Sequence, residues 1–264
     1  MGRERTVSVR SGTGDEQWQR YLASYHAQRP AITERLLSRA DASPYTWLAE
    51  PLQEVRGPIL DLACGSAPTR ALLTGPGWFG VDLSAAELGY AAGLGRGPLV
   101  RARADALPVA GKAVAAVCAA MCLPVLTPLD AVLGEITRVL GPQGLLAALV
   151  PARLDISPSQ LTIWLRIMHW LGVRGQPWPS PQARDGLPGV LRQAGFTVRA
   201  TVRRTFMVPM ATPADAGLLI EGLYLPDVDA SRVREATQRL SAWARPGRQL
   251  ALPLRRVLAT GPSR

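Results

Sequence analysis

Asp61 and the small residues that follow it are the part of this sequence best suited to holding a ligand. Residues 59–62 are apolar apart from Asp61 and are typical of a buried strand, and residues 63–67 read Ala-Cys-Gly-Ser-Ala. A turn of small residues at the carboxyl end of a strand leaves backbone N–H groups accessible, because no large side chain fills the space beside them. A carboxylate at this strand end can bind a cationic amine. We therefore expect Asp61 and Gly65 to lie in a ligand site.

Asp82 adds a second carboxylate at the end of the next predicted strand. It closes the short apolar segment 78–82, about 20 residues beyond the turn, where an acidic side chain can accept hydrogen bonds from both hydroxyls of a ribose. A hydrogen bond to such a charged group contributes roughly 1.5–3 kcal/mol. Ser84 is a favourable N-cap, which predicts that a helix follows. The alternative is that Asp82 only caps this helix.

Two later segments complete a pattern that resembles a known enzyme family. Residues 99–101 lead into Ala-Asp-Ala-Leu-Pro at 104–108, and residues 135–144 read Glu-Ile-Thr-Arg-Val-Leu-Gly-Pro-Gln-Gly. Together with the turn after Asp61 and with Asp82, they resemble the class I S-adenosylmethionine (SAM)-dependent methyltransferases, specifically their small Rossmann-like methyltransferase domain. The resemblance covers roughly residues 57–151.

The resemblance implies a site for the methionyl end of SAM at the turn. Asp61 and the backbone around Ala63, Gly65 and Ser66 would hold this end. The usual Gly-x-Gly-x-Gly pattern keeps only its middle glycine here. Alanine at the flanking positions is tolerable if neither position requires a positive φ.

The resemblance also implies partners for the adenosine end and for the transferred methyl group. Asp82 would bind the ribose, Leu83 would pack on the adenine, and Asp105, followed by Ala106, would accept from the exocyclic amine. The residues that leave the fourth strand, Ala119 to Met121, would line the point of methyl transfer. Glu135 and Arg138 match a family motif, but we expect them to pair on a helix surface and assign them no chemistry.

Three residues are candidates for catalysis, since a base is required when the nucleophile carries a proton. His26 and Tyr25 fall in the N-terminal helices, which in the resembled family close over cofactor and substrate, and His169 falls in a predicted lid helix. Tyr21, Tyr25 and Tyr45 are candidates for the pocket wall. The alternative for each is a packing or surface role. The histidines and cysteines lack metal-ligand spacing, so no metal is predicted.

Composition narrows the class of protein. The 264 residues carry 30 basic and 20 acidic side chains, for a net charge of +10, which permits nucleic acid as a partner. Lys112 is the only lysine, so this charge also fits a coding bias towards arginine. Cys64, Cys118 and Cys122 lie in apolar sequence and are expected as free thiols. Because no apolar leader or membrane span is visible, we expect a cytoplasmic protein.

Alternating strand and helix patterns predict an α/β fold. The expected architecture is a Rossmann-like, doubly wound, mostly parallel seven-stranded sheet in the order 3-2-1-4-5-7-6, with N-terminal and inserted lid helices. We divide the chain into a tail and helical cap at 1–55, a SAM-binding core at 56–151, and lid helices that complete the sheet at 152–264. Residues 1–14 are expected as a mobile tail, and a lid helix is predicted to follow Ser157-Pro158.

The leading hypothesis is a SAM-dependent methyltransferase that acts on a small-molecule acceptor through an oxygen, nitrogen or carbon nucleophile. One alternative is an RNA methyltransferase, although the Pro-Pro-aromatic and Pro-Cys motifs of nucleic-acid enzymes are missing. A second alternative is a non-catalytic SAM-binding protein. The sequence leaves the oligomeric state open.

Overall fold

The alternating pattern folds into one seven-stranded sheet with the strand order β3-β2-β1-β4-β5-β7-β6. The computed structural model describes residues 12–153 and 156–262. The strands are β1 (Ile59–Leu62), β2 (Trp78–Asp82), β3 (Leu99–Arg101), β4 (Val114–Ala120), β5 (Leu140–Pro151), β6 (Thr197–Pro209) and β7 (Gln249–Thr260). The pairs among β1 to β5 are parallel, whereas β7 runs antiparallel to both β5 and β6. The predicted fold class and strand order are confirmed.

Ten α-helices surround the sheet in the described part of the chain. They are α1 (Gly12–Gln28), α2 (Ile32–Leu37), α3 (Pro44–Ala49), α4 (Ala85–Gly93), α5 (Leu129–Val139), α6 (Pro158–Leu171), α7 (Gln182–Asp185), α8 (Leu187–Gln193), α9 (Pro213–Glu221) and α10 (Ala230–Trp243). None of these helices has the length and apolarity that crossing a bilayer requires.

The central strands β1 and β4 are buried on both faces, as expected for parallel strands whose sequence is almost uniformly apolar, whereas the edge strands β3 and β6 are largely exposed. Leu60 and Leu62 belong to a core shared with α5, α7 and α8, whereas Ile59 belongs to a core shared with α3. Side chains alternate between the two faces of a strand, so Asp61 points to the Ile59 side. A third core joins α6, α9 and α10 to the ends of β6 and β7.

Several local predictions were wrong. The sequence predicts a helix that begins at residues 68–73 after β1, but the structure has only a 3-10 turn at Pro68–Ala71. The predicted tail at 1–14 overlaps α1, which begins at Gly12, and residues 1–11 lie outside the described ranges. The sequence of α6 predicts an apolar stripe of Leu161, Trp164, Leu165, Met168 and Leu171. Leu171 is buried, but Leu161 and Leu165 are exposed, and Ile163 and Ile167 are buried in their place.

Candidate functional site

A cavity of about 650 Å³ lies at the carboxyl ends of β1, β2 and β4, beneath α1. This is the edge at which ligands bind in open α/β sheets. Seven of the nine residues predicted to bind the cofactor line it: Asp61, Ala63, Gly65, Ser66, Asp82, Leu83 and Asp105.

Two of the predicted residues are not part of the cavity wall. Ala119 is fully buried in the sheet core, because its side chain points to the face that packs on α5. The next residue, Ala120, and Met121 line the cavity instead. Ala106 is exposed beside the cavity, and only its neighbour Asp105 reaches the wall.

The turn after β1 has an unusual backbone for its sequence. Ala63, Gly65 and Ala67 have φ values of 49°, 54° and 55°, so all three adopt the left-handed conformation. The condition under which alanine would replace glycine without cost is therefore not met. A left-handed alanine costs about 1–2 kcal/mol, so this turn is strained at two positions.

Asp61 is buried and holds one oxygen without a hydrogen-bond partner. It is 1% exposed, its Oδ2 accepts from the Thr69 hydroxyl, and its Oδ1 has no partner among the described residues. Burial, together with the nearby Asp82 carboxylate, raises the pKa of Asp61 to about 7. A cationic amine beside Oδ1 would satisfy the oxygen and hold the carboxyl in its charged form. This arrangement fits the ammonium group of SAM.

Asp82 holds the turn in place through both of its carboxylate oxygens. Oδ2 accepts from the Gly65 N–H and Oδ1 accepts from the Ser84 N–H, each at 2.8 Å. Burial raises the pKa of Asp82 above its ordinary value. Each oxygen keeps a second lone pair, so Asp82 can shape the turn and still accept from a ligand hydroxyl. Ser84 caps α4, as predicted.

The side chains at the far end of the cavity are an exposed leucine and an ion pair. Leu83 is 46% exposed within the cavity wall, which leaves an apolar surface for a flat ligand. Arg103 donates two hydrogen bonds to Asp105, at 2.8 and 2.7 Å, and these lower the pKa of that carboxyl. Glu135 and Arg138 pair as expected. They also bind the backbone of the loop beyond Asp105, at Leu107.

A cover formed by α1, α2 and the residues between them is held to the turn by Glu34 and to α4 by Glu87, two glutamates that the sequence did not single out. Glu34 accepts from the Ser66 hydroxyl at 2.6 Å and pairs with Arg96, which also donates to the Ser66 carbonyl. Glu87, in α4, accepts from the Ala31 N–H at 2.9 Å. No local sequence motif marks either glutamate, because each of these contacts joins residues that are far apart in the sequence.

The same cover is fastened to the loop that leaves β4. Trp18 Nε1 donates to the Val125 carbonyl at 2.8 Å, and Gln19 Nε2 donates to the Thr127 carbonyl at 2.8 Å. Both side chains and the loop line the cavity. Helix α1 is therefore the roof of the cavity.

The candidate catalytic residues separate clearly in space. His26 lines the cavity and contacts Glu87, whereas His169 is exposed on α6, which contributes no residue to the cavity wall in the described ranges. Tyr25 is buried and donates to the Glu221 carbonyl. Tyr45 lines the cavity. Tyr21 accepts from the Leu225 N–H and lies outside the wall.

The insertion after β5 is consequently not the lid of this cavity. Its helix α6 packs on α10 and β7, and Trp164 Nε1 donates to the Ala251 carbonyl. The roof comes from α1, and one further residue, Tyr224, comes from the segment after α9.

Comparisons with known proteins agree with this geometry. Residues 60–148, about a third of the chain, match the family model described as a methyltransferase domain. No curated protein matches this sequence.

Solved structures share the fold at low sequence identity. A candidate methyltransferase from Bacillus halodurans C-125 is 14% identical, with a TM-score of 0.56 over 84% of this chain and 100% of its own. The [4+2]-cyclase SpnF is 20% identical, with a TM-score of 0.53 over 83% of this chain and 80% of its own. A Haemonchus contortus phosphoethanolamine N-methyltransferase 2, bound to phosphomonomethylethanolamine and S-adenosylhomocysteine, is 13% identical, with a TM-score of 0.54 over 93% of this chain and 60% of its own.

Proposed function

We propose that this chain, whose residues 60–148 match a methyltransferase domain, is a SAM-dependent methyltransferase that acts on a small neutral or cationic molecule. The observation that carries the proposal is the charge of the cavity wall. Five carboxylates contribute to it: Glu34, Asp61, Asp82, Glu87 and Asp105. Glu34 and Asp105 are paired with Arg96 and Arg103, so the excess of negative charge comes from the other three. A carboxylate-lined cavity favours cations and disfavours phosphate esters.

The cofactor would lie along the turn and β2. Asp61 Oδ1 would accept from the ammonium group, Asp82 would accept from the ribose hydroxyls, and Leu83 would cover the adenine. Asp105 keeps lone pairs for the exocyclic amine, although Arg103 holds both of its oxygens. SAM supplies a methyl group on a sulfonium, which makes the methyl carbon electrophilic. The protein contributes mainly position and exclusion of water.

The acceptor would lie under α1. Here the wall is apolar, with Trp18, Leu22, Met121, Val125 and Leu126. Such a wall suits an organic molecule of modest size, because it offers area for burial and few polar contacts.

The arginine side chains of the cavity wall already have hydrogen-bond partners within the protein. Arg101 Nε donates to the Leu83 carbonyl, and Arg103 pairs with Asp105. The surplus of arginine therefore lies mainly outside the cavity. This distribution argues against the RNA alternative, because the strand to be methylated would have to enter a negatively charged pocket under a helix.

The test is transfer of a labelled methyl group. Purified protein would be incubated with labelled SAM and either fractionated host metabolites or host RNA. We expect label in a metabolite fraction. Label in RNA would contradict the acceptor class, and tight SAM binding without label in either fraction would support the non-catalytic alternative.

The site assignment has its own test. Titration calorimetry with SAM and S-adenosylhomocysteine should show greatly weakened binding for Asp82→Ala. Since Asp82 also holds the turn, Asp82→Asn, which keeps one acceptor oxygen, separates the two roles. Wild-type affinity in both variants would exclude Asp82 from the site.

A further inference from the structure

We propose that Glu87, His26 and Tyr224 form a proton relay in the cavity wall, and that the acceptor is therefore methylated on an oxygen or nitrogen that carries a proton. This inference rests on the proposed function, because it concerns the nucleophile of the same reaction. The three residues come from α4, α1 and the segment after α9, and all three line the cavity.

Glu87 fixes the orientation of the His26 ring. Only 3% of Glu87 is exposed, and its two oxygens accept from the Ala31 N–H at 2.9 Å and contact His26 Nδ1 at 2.8 Å. In the proposed relay the Glu87 carboxylate accepts from Nδ1–H, which leaves Nε2 as the nitrogen that can accept a proton. Glu87 is thus a positioning residue.

Tyr224 connects the basic nitrogen to the cavity. Its hydroxyl lies 3.2 Å from His26 Nε2, and Thr33 forms a hydrogen bond with the same hydroxyl. With the Tyr224 proton directed to Nε2, the phenol oxygen can accept a proton from the acceptor. The order of groups from cavity to core is then Tyr224, His26 and Glu87.

The relay moves one proton during methyl transfer. The acceptor heteroatom forms its bond to the methyl carbon as the carbon–sulfur bond breaks, with the electron pair of that bond remaining on sulfur. The proton of the heteroatom passes to the Tyr224 oxygen, and the Tyr224 proton passes to His26 Nε2. The resulting imidazolium is stabilised by Glu87, and later releases its proton to solvent.

The groups around His26 favour this charge. Glu87 faces it from α4, the Asp82 carboxylate interacts with it electrostatically from β2, and Tyr224 faces Nε2. On its own helix, the Tyr25 ring lies 5.2 Å away in a T-shaped contact. Two carboxylates thus lie near the ring that becomes positive.

The relay also borders the cofactor turn. Glu87 Oε2 lies 3.7 Å from the position that a Cβ on Gly65 would occupy. Since Asp82 accepts from the Gly65 N–H, the relay and the proposed ribose ligand adjoin the same residue. The relay therefore lies in the same cavity as the proposed cofactor site and directly beside its ribose ligand.

The first test requires no acceptor. The chain contains two histidines, so ¹⁵N-histidine labelling gives one signal set for His26 and one for the exposed His169. We expect His26 to carry its proton on Nδ1 at neutral pH, and Tyr224→Phe to shift only the Nε2 signal of His26. Glu87→Gln should abolish the preference for this tautomer. Glu235→Gln, at an exposed ion pair with Arg239 outside the cavity wall, should leave the His26 signals unchanged.

Two outcomes of this measurement would overturn the relay. One is a His26 ring protonated on Nε2, and the other is a His26 signal that does not respond to Tyr224→Phe. Calorimetry with S-adenosylhomocysteine on each variant reports whether the site is still formed, and it detects failure of the proposed function separately.

The second test uses the acceptor fraction identified by label transfer. His26→Ala and Tyr224→Phe should lower kcat by roughly 10²–10⁴-fold at saturating SAM, remove the acidic limb of the pH profile, and retain binding of S-adenosylhomocysteine. Added imidazole should partly restore His26→Ala. Label transfer with an unchanged kcat and pH profile in both variants would refute the relay and leave the proposed function standing.

Discussion

At the scale of single residues, the site combines groups that are unfavourable while it is empty. Asp61 is a carboxylate buried away from solvent. Ala63 and Ala67 adopt the left-handed conformation that glycine adopts without strain. Strain and buried charge of this kind cluster where a ligand later compensates for them.

Asp61→Asn should change stability and binding in opposite directions. The raised pKa means that the native chain holds this proton more tightly than the unfolded chain, between the ordinary value of 3.8 and about 7. Stability therefore falls as pH rises through that window. The neutral variant should be more stable than wild type at pH 8 by about 4 kcal/mol, the full effect of a pKa raised from 3.8 to about 7, and should approach wild type only near pH 4. Urea denaturation at both values measures this.

The same variant should bind SAM roughly 10–100-fold more weakly, because it loses a charge-assisted hydrogen bond. In the wild type, affinity should increase as pH rises past 7, since the ammonium group requires the ionised carboxyl. Equal affinity of variant and wild type across this range would exclude Asp61 as the ammonium ligand.

Ala63→Gly should stabilise the chain by up to ~1 kcal/mol, because relief of left-handed strain exceeds the entropic cost of glycine. The matched control is Ala23→Gly in the middle of α1, an exposed alanine with ordinary helical geometry. This control should lose about 0.5–1 kcal/mol. Thermal unfolding of both variants shows whether each substitution raises or lowers stability. A loss of stability in both would mean that the turn is not strained at Ala63.

At the scale of elements, the α1–α2 cover is held to the turn by the ion pair of Glu34 with Arg96, since both side chains also bind Ser66. Glu34 has a lowered pKa: burial acts to raise it, but the hydrogen bonds from Arg96 and Ser66 outweigh that effect. Its stabilising contribution is therefore present above the ordinary value of 4.5 and is lost as pH falls through the lowered one. Acid should loosen the cover.

Glu34→Gln should lower the free energy of unfolding by about 1–2 kcal/mol at pH 7. This value lies between those expected for exposed and for buried ion pairs, because the pair of Glu34 with Arg96 is partly buried. The cost should shrink as the pH is lowered below 4. Glu235→Gln is the control, because Glu235 forms an exposed pair with Arg239 and should change stability by less than ~0.5 kcal/mol. Equal costs in the two variants would show that the cover is not fastened by Glu34.

The predictable elements were those whose own sequence determines them. The buried runs of β1 and β4, and the Ser84 cap of α4, follow from local pattern. The single turn after β1 does not, because Pro68 permits a helix start without requiring one. Helix α9 also escaped prediction, although Thr212 and Asp215 form its capping box. The domain boundaries at 55/56 and 151/152 remain a prediction.

The candidate site shows the same limit. Asp61, Gly65 and Asp82 were found because they follow strands at a spacing typical of nucleotide sites. Glu34 and Glu87 were missed, because their partners lie 32 to 62 residues away in sequence. Pairing over such separations is a property of tertiary packing, and only the fold reveals it.

At the scale of the whole molecule, the cavity belongs to one side of the structure. The cover of α1 and α2 and the loop after β4 surround it. Within the described part of the chain, α6 and α10 contribute no residue to its wall and pack in a core with α9, the ends of β6 and β7, and Leu36 of α2. The negative cavity lies within a chain of net charge +10. A cationic cofactor is thus attracted at short range despite long-range repulsion.

Cofactor binding should protect this side selectively. We expect S-adenosylhomocysteine to slow backbone hydrogen exchange in α1, in the Ala31–Glu34 region and in residues 121–127. Exchange in α6 and α10 should change little, since neither helix, both lying in the described ranges, contributes a residue to the cavity wall. Mass spectrometry of peptic fragments measures both regions in one sample. Uniform protection would show that the two sides unfold as a unit.

The unsatisfied oxygen of Asp61 has a consequence for the life of the protein in a cell. A ligand that binds only the folded chain stabilises it by about 2.7 kcal/mol at a concentration of 100 times its Kd. The chain without cofactor opens more often and is exposed to proteases, so its abundance is expected to rise and fall with the supply of methyl donor. The buried carboxylate of Asp61 would then couple cofactor binding to resistance against proteolysis, so that the cofactor-bound enzyme is degraded more slowly than the free chain.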